Sequence, residues 1–210
     1  METALLSTTY FGPVQWYQKL HRAEEVVIEQ YENFQKQTYR NRCVIATANG
    51  TQALTVPVER GTKDSVTGDI RDIRISEHGN WRHLHWHALC SAYGESPFFE
   101  YYADDVHPFF EKKWEFLFDF NMEITEKLCE LLDIRPNILL SKEYSHPSPL
   151  ASCTSLFDYR EAIRPKNPVA DADFTLKIYY QVYQQRHGFI PNLSVLDLLF
   201  NMGTEAIFYL

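Results

Sequence analysis

The chain has 210 residues, a net charge of −8, and no block of lysine or arginine. That length fits one domain with a sizeable core, and the charge pattern excludes nucleic-acid binding as a main role. No apolar run is long enough for a membrane span and the N-terminus lacks a signal pattern, so a cytoplasmic protein is expected.

In chain order, residues 3–9 read as a short buried strand, followed by the tight loop Tyr10-Phe11-Gly12-Pro13. Pro13 is placed to open a helix running to about Ala23. Val26, Val27 and Ile28 form a second strand, so the opening reads as a βαβ unit, with a ligand expected at the first strand's carboxyl end. Asn49-Gly50 then stands between two β-rich runs, a strong hairpin signal over 41–58. A two-residue turn there pairs Ile45 with Leu54, Cys43 with Val56 and Asn41 with Val58, one buried face. Arg40 and Arg42 point to the other face, at the mouth of the hairpin. Residues 60–68 are a polar loop, and IRDIRIS fits a short strand loosely. From 80 to 134 the chain reads as helical. Asn80 caps the first helix, Pro97 opens the next, and Leu117, Phe120, Ile124, Leu128 and Leu131 make one stripe. NILLS at 137–141 looks like a buried strand, 144–155 a Ser/Pro-rich loop able to cover a site, and IYYQVYQQ at 178–185 an aromatic strand. Asn192 or Ser194 caps a closing helix that Gly203 ends. The expectation is a single α/β domain over 1–210 with a mixed β-sheet.

Several side chains invite chemistry. Arg40 and Arg42, straddling the Asn41 amide, suit phosphate or carboxylate, against the alternative of a solvated strand end. Arg82 lies in a helix's first turn, where a cation opposes the dipole. Either a ligand anion or a salt bridge to Glu77 or Glu95 explains it. His85 lies on the apolar side of its helix, as a hydrogen-bonded core residue or as a general acid or base. His83 and His87 share a helical face with Cys90, but a fourth zinc ligand has no source, so no metal site is expected. Cys43, Cys90, Cys129 and Cys153 form no CxxC pair and read as reduced thiols. Cys153 near His146 is an unsupported nucleophile pair. Asp197, set among leucines, needs a partner such as an arginine from the hairpin mouth or backbone N–H groups. The 31 aromatic residues imply a large core or an aromatic-lined pocket.

These segments together resemble the WbqC-like family. The residues that carry the likeness are Tyr10-Phe11 with Trp16-Tyr17, Asn41-Arg42 leading to Ile45, Asn49-Gly50, and Leu54-Thr55-Val56-Pro57. They continue with Trp81-Arg82, His85, Tyr93, Pro97-Phe98-Phe99 and Cys129 to Ile134. The closing run Phe189 to Ser194 with Leu196-Asp197-Leu198 completes them. Ser7-Thr8 stands where many relatives have Gln-Pro. The resemblance marks Tyr10, Asn41, Arg42, Trp81, Arg82, His85, Tyr93, Asn192 and Asp197 as pattern residues. It implies a role in O-antigen or capsule synthesis, with an acyl or aminoacyl group moved onto an amino sugar or nucleotide-linked sugar.

On that reading Arg40, Arg42 and Arg82 hold phosphate or carboxylate, His85 is the catalytic base, and Tyr93 and Asn41 orient substrate. Tyr10, Asn192 and Asp197 complete the substrate-binding set. A small-molecule substrate is expected, with no nucleic-acid partner. Cofactor, donor, acceptor and oligomeric state are left open. Two other classes compete: a non-catalytic binding or assembly protein of a glycan-synthesis complex, and a nucleotide-dependent ligase or nucleotidyltransferase, which needs a phosphate cradle at 8–15.

Overall fold

The computed structural model describes residues 2–59, 68–146 and 156–210. The expected polar loop at 60–67, part of the loop at 144–155, and Cys153 lie outside the described residues. β1 (Thr3–Ser7) leads through α1 (Val14–Arg22) to β2 (Glu25–Glu29). β1 and β2 pair in parallel, with Leu5 opposite Val27. The βαβ opening is therefore present. Pro13 occupies the α1 N-cap, and Lys19, His21 and Arg22 fill its last turn, where cations favour the dipole. Trp16, Tyr17 and Leu20 are buried, and Trp16 Nε1 donates to the Ser7 carbonyl (2.9 Å).

β3 (Arg42–Thr47) and β4 (Gly50–Thr55) form the hairpin. Its register differs by two residues from expectation. Cys43 pairs with Leu54 and Thr47 with Gly50. The turn is thus Ala48-Asn49. Thr47 explains the shift: its Oγ1 accepts from the Asn49 N–H (3.2 Å) and donates to the Gly50 carbonyl (3.0 Å). Gly50 supplies the positive φ, 108°, that closes the turn. A slip of two leaves every side chain on its own face. Cys43, Ile45, Leu54 and Val56 are buried as the pattern required.

The expected helical stretch is built as α2 (Trp81–Tyr93), α3 (Phe99–Val106), α4 (Pro108–Glu111) and α5 (Leu117–Leu131). Asn80 sits at the α2 N-cap but makes no side-chain capping bond. On α5, Leu117, Phe120, Ile124 and Leu128 are wholly buried. IRDIRIS is a 3-10 turn at Ile70–Asp72 and then isolated bridges, Arg74 to Phe116 and Ile75 to Val58. Its three isoleucines are buried from irregular backbone.

β5 (Ile138–Leu140) and β6 (Leu156–Asp158) complete a four-stranded parallel sheet, ordered β5-β2-β1-β6. Among the named strands, antiparallel pairing belongs to the separate hairpin sheet. NILLS is not buried. β5 is an edge strand, and Leu139 and Leu140 are exposed. Nor is IYYQVYQQ a strand: it pairs with no strand among the described residues and ends in the short α6 (Gln184–His187). Its alternation is real, since Tyr179 and Gln181 point inward while Ile178 and Tyr180 face out. What it lacks among the described residues is a neighbour to pair with.

α7 (Val195–Met202) closes the chain with a 3-10 turn, Gly203–Tyr209. Ser194 is its cap, accepting from the Leu196 N–H (3.3 Å) and donating to the Phe11 carbonyl (2.8 Å). The Ser194 N–H donates to Val44 (2.8 Å), so the closing segment stitches the first loop to the hairpin.

Candidate functional site

Part of the expected phosphate cradle at 8–15 is already engaged. Val14 N–H donates to Leu193, Gln15 N–H to Asn192 Oδ1, and Trp16 N–H to Pro13. Asn192 Nδ2 returns a bond to Gln15 Oε1 (2.9 Å). Asn192 therefore holds the termini of the fold together, in the left-handed conformation that asparagine tolerates.

The remaining expected residues separate into three groups. Arg40 leaves the hairpin mouth. β3 begins two residues later, and Arg40 Nε donates to buried Glu32 (2.8 Å) while Nη2 bonds Glu32 and Ser7. A buried carboxylate needs such a partner. This pair sits at the carboxyl end of the parallel sheet, beside Arg160 bonded to Asp158 (2.9 Å). Tyr93 and Asp197 form a second group. Asp197 Oδ2 accepts from Tyr179 (2.8 Å) and Gln181 (2.9 Å), and the Tyr93 hydroxyl accepts from Ala46 N–H (3.2 Å). Burial raises the Asp197 carboxyl to about 6, against the pull of Tyr179, Tyr93 and Gln181. Its partners are neutral donors, not the arginine expected.

The third group is a chain of contacts around His85. The Tyr10 hydroxyl lies 2.9 Å from His85 Nδ1. Burial lowers the imidazole to about 4, with backbone bonding to Thr55 pulling the other way. The ring is therefore neutral. Burial raises Tyr10 well above the usual phenol value, so it keeps its proton, and the ring tautomer sets which of the two groups donates. Thr55 also accepts from Arg42 Nε through Oγ1 (3.0 Å). Arg42 and His85 thus meet at one residue. Asn41 closes the mouth: its Nδ2 donates to the Val56 carbonyl (2.8 Å) and its own carbonyl accepts from Val56 N–H (2.8 Å). His85 itself is 6% exposed and packs edge-on to Trp81, ring centroids 5.2 Å apart.

Trp81 is the wall between His85 and a surface cavity of about 570 Å³ at the start of α2. Arg82 lies here, stacked over Trp81 at 4.6 Å and forked onto both Glu77 oxygens (2.8 and 2.7 Å). Hydrogen bonding to Arg82 lowers the Glu77 carboxyl below its usual value. Arg82 Nε is buried and unpartnered among the described residues. Lys113 reaches the same carboxylate at 4.0 Å. With no side-chain cap on α2, the Arg82 and His83 amides also lack an acceptor among the described residues. Trp86 and His107 also line the cavity, their ring centroids 4.4 Å apart and their planes tilted by 32°, and His107 Nδ1 lies 3.9 Å from Glu111.

The cavity therefore offers cationic donors, open helix amides, an aromatic shelf and an imidazole beside a carboxylate. Trp86, His107, Glu111 and Lys113 were not singled out from sequence. The spacing of His107 and Glu111, four apart, was the one visible signal. Among the described residues no group of three or more His, Cys, Asp or Glu is arranged to hold a metal.

Residues 8–209 match the WbqC-like protein family. The chain is 26% identical to uncharacterized protein Rv1507c of Mycobacterium tuberculosis over 227 aligned positions, covering 100% of this chain and 97% of that relative. No solved structure matches.

Proposed function

The chain belongs to the WbqC-like protein family, and on that premise we propose that it is a transferase of bacterial surface-polysaccharide synthesis. It moves an acyl or aminoacyl group onto an amino sugar or nucleotide-linked sugar bound in the α2 cavity. The observation that carries this reading is the Trp86–His107 shelf and the Arg82–Glu77 fork lining one cavity. An aromatic shelf suits a sugar or base ring. Arg82, Lys113 and the free α2 amides suit phosphate or carboxylate.

His107 takes the role of base within this reading. It lines the cavity, with the Glu111 carboxylate 3.9 Å away to favour the imidazolium that forms. His85 becomes a positioning residue that holds Trp81 and, through Thr55, Arg42. The test is turnover and thermal shift against nucleotide sugars and acyl thioesters. His107→Ala should lower kcat about 10²–10⁴-fold at saturating substrate, whatever it does to the ligand-induced shift. Arg82→Ala should abolish the shift given by phosphorylated ligands. Unchanged kcat in His107→Ala rejects the base assignment, and an unchanged shift in Arg82→Ala rejects the cavity.

A non-catalytic binding protein is the second reading, favoured by one fact. The histidine on the family pattern, His85, is bonded inside the protein and is not among the residues lining the cavity. That reading expects the same thermal shifts with no turnover of any donor.

A further inference from the structure

The opposite wall of the helical segment carries a feature that sugar chemistry does not use. Asp119, Glu123, Glu126 and Glu130 on α5 are spaced four, three and four residues apart, which sets them in one stripe along the helix. All four are exposed. Lys127 reaches Glu130 (2.7 Å) and Asp105 (3.8 Å), while no described cation pairs with Asp119, Glu123 or Glu126. The stripe rims a groove of about 660 Å³. Its floor is apolar, built from Phe118, Met122 and Ile134, and its far wall is Ile138 and Leu140 of β5.

β5 is the open edge of the parallel sheet, paired only with β2 among the described residues. The Asn137 carbonyl and Ser141 N–H bond toward β2. Strand alternation then turns the N–H and C=O groups of Ile138 and Leu140 outward. The same two residues put their side chains into the groove. Backbone donors and acceptors, an apolar trough and a row of carboxylates thus lie side by side.

We infer that this face binds an extended basic segment of a partner protein, one that carries apolar residues and lysine or arginine together on the strand face turned toward the groove. Such a segment adds a strand to β5, drops its apolar side chains into the groove and sets its cations against the stripe. A second copy of this chain is a poor occupant, because each copy carries a net charge of −8.

The probe is a short fluorescent peptide repeating valine, serine, lysine, serine, which sets valine and lysine on one strand face, with glutamate in place of lysine as its control. Anisotropy against the full chain should show binding of the basic peptide only, weakened by added salt. Glu123→Lys with Glu126→Lys, two exposed positions, should weaken binding at least tenfold without lowering Tm. Amide exchange should slow at Ile138 and Leu140 when the peptide is present. No binding of the basic peptide, equal binding of both peptides, or binding indifferent to the double reversal overturns the inference. So does a dimer in solution that protects the β5 amides without peptide. None of these outcomes bears on the α2 cavity.

Discussion

His85 and Asp197 are both buried, and burial moves them in opposite directions. Asp197, raised from 3.8 to about 6, holds its proton longer in the folded chain than in the unfolded one. Its contribution to stability is present near pH 4 and is lost as pH rises through about 6. His85, lowered from 6.5 to about 4, contributes fully above pH 6.5 and loses that contribution as pH falls toward 4. The two slopes oppose each other across the same window. Asp197→Asn removes one of them. Relative to the parent, this variant should gain about 2 kcal/mol between pH 4 and pH 7, because each tenfold change in proton affinity is worth about 1.4 kcal/mol. Denaturant melts at the two pH values measure it. A constant difference between variant and parent would show that Asp197 ionises normally.

At the level of elements, ends and turns carry much of the specification. α7 is set by Ser194 before it and Gly203 after it, and the two positions should respond differently to alanine. Ser194→Ala removes the cap and the bond to Phe11, and should cost about 1–2 kcal/mol. Gly203 has φ 58°, and a Cβ there would stand 2.7 Å from the Phe98 ring. Gly203→Ala should therefore cost more than Ser194→Ala, because strain at positive φ adds to a clash with a packed ring. Equilibrium urea melts rank the two. The hairpin teaches the same lesson in reverse. Asn49-Gly50 announced a turn correctly, but the Thr47 hydroxyl chose where it sits. Local pattern locates an element to within a residue or two; a single side-chain bond settles its register.

For the molecule as a whole, two junctions join parts far apart in sequence. One is the closing segment at 191–194 against the first loop. The other is the carboxyl end of the parallel sheet, where Ser7, Glu32 and Arg40 bond together and Arg160 meets Glu29 at 3.6 Å. Arg40→Ala strands a buried carboxylate and should cost about 3–5 kcal/mol. Replacing Arg40 and Glu32 together by Met and Leu should recover much of that loss, since the pair's own desolvation is removed as well. If the double variant is no better than Arg40→Ala in a thermal melt, the buried charge is not the cause.

The amino-acid sequence alone determined the α/β class, the βαβ opening, the hairpin, the helical character of 80–134 and the closing cap, while the break between α3 and α4 came from the structure. Each rests on neighbours within a few residues: Pro13, the apolar stripe of α5, Ser194, Gly203. Family membership was equally legible, because ordered short motifs survive where no single one is specific. Tertiary structure alone decided which charges are spent on other charges. Nothing local says that Arg40 belongs to Glu32, that Asp197 finds Tyr179 and Gln181, or that His85 is locked between Tyr10 and Thr55. It also decided that His107, Trp86 and Arg82 line one cavity, and that NILLS lies at an open edge. The reason is physical. Backbone preference acts over one turn, whereas the desolvation that shifts a pKa or demands a counter-charge depends on every segment that packs around the group.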